Sequence, residues 1–177
     1  MTAARLILVT GGAASGKSEH AERLLCESAP AGERLYLAAM QPFGEAARRR
    51  IQRHRALRAG KGFRTVERYT DLAGFVPARH FGGILLECLS NLLANEMFSP
   101  EGAGGDAANA ATAGVLALCR HCDTLVVVTN EIFSDGDRYP EETAQYLRAL
   151  AAVNRELAAR VDTVYESVCG ILCKIKG

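Results

Sequence analysis

A glycine-rich segment near the amino terminus constrains the fold more than any other part of the chain. It covers Gly11, Gly12, Ala13, Ala14, Ser15, Gly16, Lys17 and Ser18. It matches the P-loop pattern G-x-x-x-x-G-K-[ST] and lies between an apolar run at 5–10 and a helical segment at 18–28. In that setting backbone N–H groups surround phosphate oxygens. The segment therefore predicts a nucleoside triphosphate site, the alternative being a purely structural glycine turn.

The P-loop pattern also assigns roles to individual side chains. Lys17 is predicted to pair with the β- and γ-phosphates, and the Ser18 hydroxyl to ligate Mg²⁺. We include Glu19, the next residue, in the predicted nucleotide-binding set.

Composition narrows the class of protein further. The chain has 177 residues, a formal charge of +1 and 49% apolar residues, which is typical of one globular domain over 1–177. We expect no binding to nucleic acid, because the charge is nearly balanced, and no membrane span, because no apolar run is long enough. Without a signal-peptide pattern, a cytoplasmic location is expected, where cysteines stay reduced.

Apolar runs and helical segments alternate along the chain. Strands are predicted at 5–10, 35–39, 83–88, 123–129 and 161–168, with a possible sixth at 171–175, and helices at 18–28, 45–58, 89–98, 107–120 and 141–160. Glycine-rich and polar loops are predicted at 100–106 and 134–140. This alternation predicts an α/β fold of the P-loop NTPase kind, with a mostly parallel sheet flanked by helices.

One carboxylate is placed to serve the predicted phosphate site. Glu87 ends an apolar strand, and the carboxyl ends of parallel strands are where functional groups gather. We predict that Glu87 joins Ser18 as a Mg²⁺ ligand and contributes to nucleotide binding. An ordinary, partly exposed strand-end glutamate remains the alternative.

The segment 48–58 concentrates positive charge around a histidine. It holds six arginines in eleven positions and includes His54. A solvated helix face is the usual meaning of such a run. Here the rest of the chain is nearly balanced, and a neutral imidazole is a good nucleophile toward phosphorus. His54 is therefore a candidate catalytic residue, with arginines nearby to hold phosphate oxygens.

Taken together, these motifs are similar to those of the bifunctional adenosylcobinamide kinase/adenosylcobinamide-phosphate guanylyltransferase family. The resemblance covers almost the whole chain. Its motifs are L-V-T-G-G-A (8–13), S-G-K-S (15–18), H-A-E (20–22), L-Y-L-A (35–38), R-I-x-x-H-R (50–55), T-x-E (65–67), L-L-E-C (85–88), N-L-L (91–93), T-N-E (129–131), Asn154, G-I (170–171) and K-I-K (174–176).

The resemblance implies two reactions. In the first, ATP or GTP gives its γ-phosphoryl group to the aminopropanol hydroxyl of adenosylcobinamide. In the second, a histidine attacks the α-phosphorus of GTP, and the GMP–histidine then passes GMP to adenosylcobinamide phosphate. Carried onto this chain, the GMP acceptor is His54, with Lys17, Ser18 and Glu87 holding triphosphate and Mg²⁺. Arg55 and Glu67 are expected to bind nucleotide. A RecA-like fold and a homotrimer are also implied.

Departures from the family pattern leave alternatives open. Ala39 replaces a hydroxyl residue, Gly44-Glu45-Ala46-Ala47 replaces a more acidic stretch, and the glycine-rich loop after T-N-E differs over 132–140. A kinase-only member and a GTP-dependent regulatory module are the competing interpretations. Which nucleotide the kinase step prefers, and which residues contact the corrinoid, stay open.

Overall fold

A computed structural model describes residues 4–133 and 139–177. Its strands are β1 (Arg5–Gly11), β2 (Arg34–Ala38), β3 (Phe63–Glu67), β4 (Phe81–Glu87), β5 (Cys122–Val128), β6 (Thr163–Val168) and β7 (Ile171–Lys176). Its helices are α1 (Lys17–Ser28), α2 (Gly44–Arg58), α3 (Leu89–Phe98), α4 (Ala107–Leu118) and α5 (Glu141–Arg160).

The described strands form one sheet in the order β3-β2-β4-β5-β1-β6-β7. All neighbours pair in parallel except β6 and β7, which pair antiparallel. Successive residues of a strand point to opposite faces, so Leu6 and Leu8 join one buried apolar cluster and Ile7 and Val9 join the other. Helices cover both faces of the sheet. Because β1, β2, β4 and β5 run parallel, their carboxyl ends lie along one edge.

One close approach in the core depends on a glycine. A Cβ atom at Gly83 of β4 would lie 2.6 Å from Leu25 Cδ1 of α1 and 3.1 Å from Ala29 Cβ. Leu25 is fully buried. Gly83 therefore lets the helix that follows the P-loop pack directly against the centre of the sheet.

The predicted elements are present, with shifts of one or two residues at several ends. The strand predicted at 83–88 begins at Phe81, and the helix predicted at 107–120 ends at Leu118 before a 3₁₀ turn, Cys119–His121. The possible sixth strand is β7. β3 was not predicted, because this edge strand has half-buried or exposed side chains and lacks an apolar run. Of the polar loop predicted at 134–140, residues 134–138 lie outside the described residues.

Within the described ranges, none of the helices is long and apolar enough to cross a lipid bilayer.

Candidate nucleotide-binding and phosphotransfer site

The P-loop joins β1 to α1, and residues at the β6–β7 turn donate hydrogen bonds to it. Ser167 Oγ and the Gly170 N–H both donate to the Ser15 carbonyl, at 2.6 and 3.0 Å. Gly16 has φ 91°, a left-handed conformation that favours glycine. A Cβ at Gly11 would lie 2.6 Å from both Ser15 Oγ and Ser167 O. These contacts fix the loop before any phosphate binds.

Lys17 and Ser18 begin α1 at the mouth of this loop. Lys17 Nζ donates to the Gly12 carbonyl at 2.9 Å. Burial lowers the pKa of Lys17, although the charge of Glu87 opposes that effect. The helix macrodipole adds positive potential at the same place. This end of α1 therefore suits an anionic ligand.

Glu87 connects the P-loop, the sheet and α2. Its Oε1 accepts a hydrogen bond from Ser18 Oγ and lies 3.4 Å from His54 Nδ1. Its Oε2 accepts a hydrogen bond from Tyr36 OH at 3.0 Å. Burial and the negative charge of Glu87 raise the pKa of Tyr36, so the phenol remains a donor. One buried carboxylate thus contacts both predicted catalytic parts, the P-loop and the histidine.

Four arginines of the helix α2 line the same cavity: Arg50, Arg53, Arg55 and Arg58. The guanidinium carbon of Arg58 lies 3.3 Å from the centroid of the Tyr36 ring, a cation–π contact that is largely buried. Just beyond the helix, Lys61 Nζ contacts Glu22 Oε2 of α1 at 2.7 Å. Glu22 is fully buried, and burial raises its pKa against the opposing effect of Lys61. These two contacts anchor the carboxyl end of α2 against β2 and against the P-loop helix α1.

Arg55 and Glu67 meet at the outer side of the cavity. Arg55 donates to Glu67 Oε1 at 2.9 Å, and Tyr69 OH donates to Glu67 Oε2 at 2.8 Å. Glu67 ends β3 and is about half exposed. The pair forms an accessible polar wall of the cavity.

A cavity of about 670 Å³ is enclosed by these elements, a volume within the range of small-molecule sites. The predicted site residues that line it are Ala13, Ala14, Ser15, Gly16, Lys17, Ser18, Glu19, His54, Arg55, Glu67 and Glu87. Gly11 and Gly12 do not line it; Gly11 ends β1 and makes room for Ser15. The structure therefore brings together the P-loop and the histidine helix, which are far apart in sequence.

The donor set at Ser18 and Glu87 fits Mg²⁺. A hydroxyl and a carboxylate lie in contact at the phosphate end of the cavity. Mg²⁺ prefers oxygen ligands and is often held by one or two protein groups together with substrate phosphates. Within 4–133 and 139–177, no group of three or more histidine, cysteine or acidic side chains is arranged to hold a metal by itself.

Sequence reasoning did not single out Tyr36, which lines the cavity, or Lys61, which contacts Glu22 beside it. Tyr36 was recognised only as part of the strand predicted at 35–39, and Lys61 lies outside the predicted elements. A tyrosine two residues before the carboxyl end of a buried strand is a usable signal, because its hydroxyl needs a partner. The pairing of Lys61 with Glu22 carries no sequence signal, since it depends on how α2 packs against α1.

Comparison with known proteins shows which family the chain belongs to. The family model described as "Cobinamide kinase / cobinamide phosphate guanyltransferase" matches residues 7–175. The chain belongs to this family. The family predicted from the sequence motifs is thereby confirmed.

Three proteins of related sequence match this chain over almost its full length. The protein is 37% identical over 188 residues to "Bifunctional adenosylcobalamin biosynthesis protein CobU" of Escherichia coli (strain K12), with 97% of this chain and 99% of that protein covered. It is 35% identical over 185 residues to the protein of the same name from Salmonella typhimurium, with 97% and 99% covered. It is 30% identical to "Bifunctional adenosylcobalamin biosynthesis protein CobP" of Pseudomonas aeruginosa, with 96% of each chain covered.

Solved structures with little sequence identity share the fold alone. The flagellar accessory protein FlaH from Methanocaldococcus jannaschii has a TM-score of 0.51 at 14% identity, covering 99% of this chain and 80% of that one. A KaiC-like protein from Pyrococcus horikoshii has a TM-score of 0.52 at 10% identity, covering 94% and 73%. The predicted P-loop NTPase fold of the RecA-like kind, with a mostly parallel sheet, is confirmed.

Proposed function

We propose that this protein is the bifunctional enzyme that phosphorylates adenosylcobinamide and transfers GMP to adenosylcobinamide phosphate in cobalamin biosynthesis. The observation that carries the proposal is the shared cavity. The P-loop and His54 line it together, and Glu87 Oε1 contacts Ser18 Oγ and lies 3.4 Å from His54 Nδ1. A P-loop explains triphosphate binding, and a partly buried histidine among arginines supplies a nucleophile beside it.

In the kinase step, the chain's own residues hold and neutralise the triphosphate. The P-loop N–H groups and Lys17 bind the β- and γ-phosphates. The acceptor hydroxyl attacks the γ-phosphorus and releases its proton to solvent, the bond to the β-phosphate oxygen breaks, and ADP or GDP leaves. Arg50 and Arg53, which line the cavity, offset charge that develops on the transferred group.

In the guanylyl step, His54 is the nucleophile. One imidazole nitrogen attacks the α-phosphorus of GTP, and the bond to the β-phosphate oxygen breaks, releasing pyrophosphate. Because Nδ1 faces Glu87, we assign the attack to Nε2. A phosphate oxygen of adenosylcobinamide phosphate then attacks the same phosphorus, the P–N bond breaks, and His54 is restored. We assign contact with the nucleoside part to Arg55 and Glu67, which line the outer wall of the cavity.

Ser18 and Glu87 would hold Mg²⁺, which when bound offsets phosphate charge and supports both displacements. Tyr36 keeps the carboxylate of Glu87 in place through its hydroxyl.

Incubation with α-labelled GTP and Mg²⁺ tests the guanylyl step. We expect covalent label that is acid-labile and base-stable, lost in His54→Asn. The matched control is His80→Asn, because His80 is half exposed and pairs with Asp123 on the surface. Absence of label, or label that survives His54→Asn, refutes the guanylyltransferase proposal and favours a kinase-only member or a regulatory module.

Phosphorylation of adenosylcobinamide tests the kinase step separately. We expect turnover with ATP or GTP that collapses in Lys17→Ala. Turnover that survives this change places the kinase site elsewhere.

We also propose the homotrimeric assembly typical of the family. Val168, Ile171 and Ile175 are exposed apolar residues along the outer edge of the sheet, which supports an interface there. Light scattering after size-exclusion chromatography measures the mass, and a mass near one chain of 19.0 kDa contradicts the trimer.

A further inference from the structure

Two asparagines line the cavity beyond the P-loop and have no role in the steps described above. Asn91 lies in the first turn of α3, and Asn130 follows β5. Both belong to motifs that stand out in the sequence, N-L-L and T-N-E. Neither is among the residues predicted from the sequence to bind nucleotide.

The amide nitrogens of both residues are engaged inside the protein. Asn91 Nδ2 donates to Cys88 Sγ at 3.0 Å, and Asn130 Nδ2 donates to Ser90 Oγ at 2.5 Å. Among the residues that the structure describes, no donor engages Oδ1 of Asn91 or of Asn130. Each residue therefore has an oxygen atom left to accept a hydrogen bond from a ligand.

The surrounding network holds the two amides in place. Tyr146 OH donates to the Ser90 carbonyl at 3.1 Å, and Asn154 Nδ2 contacts the Asn130 carbonyl at 3.5 Å. Thr129 Oγ1 in turn donates to Asn154 Oδ1 at 2.7 Å. Ordered acceptors lose little freedom when a ligand binds, which favours a recognition role.

Their position is next to the phosphate end of the cavity. Cys88 follows Glu87 directly in the chain, and it is the thiol that Asn91 contacts. Cys88 lines the same cavity as the phosphate-binding Lys17. Met40 and Ile132 line the cavity with them and supply apolar surface.

We propose that Asn91 Oδ1 and Asn130 Oδ1 form the acceptor subsite of the kinase step, where they accept hydrogen bonds from the aminopropanol arm of adenosylcobinamide. Linked through its nitrogen as an amide, that arm offers one N–H and one O–H donor, matching two amide oxygens. Amide oxygens are too weakly basic to remove a proton, so they orient the hydroxyl toward the γ-phosphorus without deprotonating it. The inference rests on the proposed function.

The proposed subsite should distinguish adenosylcobinamide from adenosylcobinamide phosphate. Phosphorylation replaces the O–H donor with phosphate oxygens, which are acceptors only and cannot donate to an amide oxygen. The asparagines should therefore matter more for binding adenosylcobinamide than for binding its phosphate.

The test compares Asn91→Ala and Asn130→Ala with Asn109→Ala, which changes an exposed asparagine of α4 that contacts Asp106. We expect each cavity variant to raise the KM for adenosylcobinamide by roughly three- to tenfold, the loss typical of one neutral hydrogen bond. The KM for nucleotide and covalent labelling by GTP, which needs no acceptor, should stay at the wild-type level. Asn109→Ala should change neither.

A conservative variant separates recognition from a structural role. Asn130→Asp keeps an oxygen acceptor, so the KM for adenosylcobinamide should stay close to that of the wild type. The KM for adenosylcobinamide phosphate should rise, because the carboxylate repels it.

An unchanged KM for adenosylcobinamide in the alanine variants overturns the subsite. The subsite is also overturned if the alanine variants lose GTP labelling together with adenosylcobinamide binding. In that case the asparagines only maintain the nucleotide site. If the wild-type protein itself fails to phosphorylate adenosylcobinamide, the proposed function fails, and the subsite with it.

Discussion

Replacing Tyr36 with phenylalanine removes a single hydroxyl from the buried contact that holds Glu87. Tyr36 is 4% exposed and Glu87 9%, and the hydroxyl donates to Oε2 at 3.0 Å. A hydrogen bond to a charged group contributes about 1.5–3 kcal/mol. Because Oε1 keeps its contact with Ser18, we expect Tyr36→Phe to weaken the binding free energy of Mg²⁺-GTP by about 1.5 kcal/mol, at the low end of that range. This corresponds to about tenfold weaker binding of Mg²⁺-GTP.

Titration with a fluorescent GTP analogue in the presence of Mg²⁺ measures this effect without requiring catalysis. The free energy of unfolding should fall by no more than about 1.5–3 kcal/mol, and the protein should stay folded, because the ring remains and still packs against Arg58 at 3.3 Å. Tyr165→Phe is the matched control, since Tyr165 is a half-buried tyrosine of β6 that does not line the cavity. Wild-type affinity in Tyr36→Phe, or an equal loss in Tyr165→Phe, refutes the role of the hydroxyl in positioning Glu87.

Two further substitutions test the packing of α1. Gly83→Ala should lower the free energy of unfolding by about 1–3 kcal/mol in urea denaturation, because its methyl group meets a buried leucine. Gly105→Ala is the control, since a Cβ there meets nothing within 4 Å. Glu22→Gln should flatten the pH dependence of stability. Burial raises the pKa of Glu22 above its ordinary 4.5, so the folded protein binds this proton more tightly than the unfolded chain. Wild-type stability should therefore fall, relative to Glu22→Gln, as the pH rises above 4.5 toward the folded-state pKa.

These two predictions have clear contrary outcomes. Equal stability of the two glycine variants shows that the close packing at Gly83 relaxes without cost. For Glu22, thermal unfolding midpoints between pH 4 and pH 8 give the comparison, with the exposed Glu27→Gln as the control. A difference between wild type and Glu22→Gln that does not vary with pH contradicts the effect of burial on this carboxyl.

Much of the fold could be predicted because its signals are local. The P-loop pattern, the apolar strands and the helix spacings all lie within short windows, and their order suffices for a mostly parallel sheet. β3 (Phe63–Glu67) was not predicted, because this edge strand has no run of buried apolar residues. The single-domain organisation over 1–177 stays a prediction.

Many of the individual residues of the candidate site could be predicted from the sequence, but their positions relative to one another could not. His54 and the P-loop each carry a sequence signal, but their meeting at Glu87 depends on how α2 folds over the sheet edge. That placement is set by Arg58 packing on Tyr36 and by Lys61 reaching Glu22. Both contacts join residues more than 20 positions apart, so no local pattern predicts them.

The central proposal is that His54 carries GMP between two substrates within one cavity, and a chase experiment tests it most directly. Protein labelled with α-labelled GTP is freed of nucleotide and then mixed with adenosylcobinamide phosphate in a single turnover. We expect the label to leave the protein and appear in adenosylcobinamide-GDP, and His54→Asn to give no labelled product. Label that stays on the protein, or product formed equally well by His54→Asn from free GTP, would contradict a covalent carrier at His54.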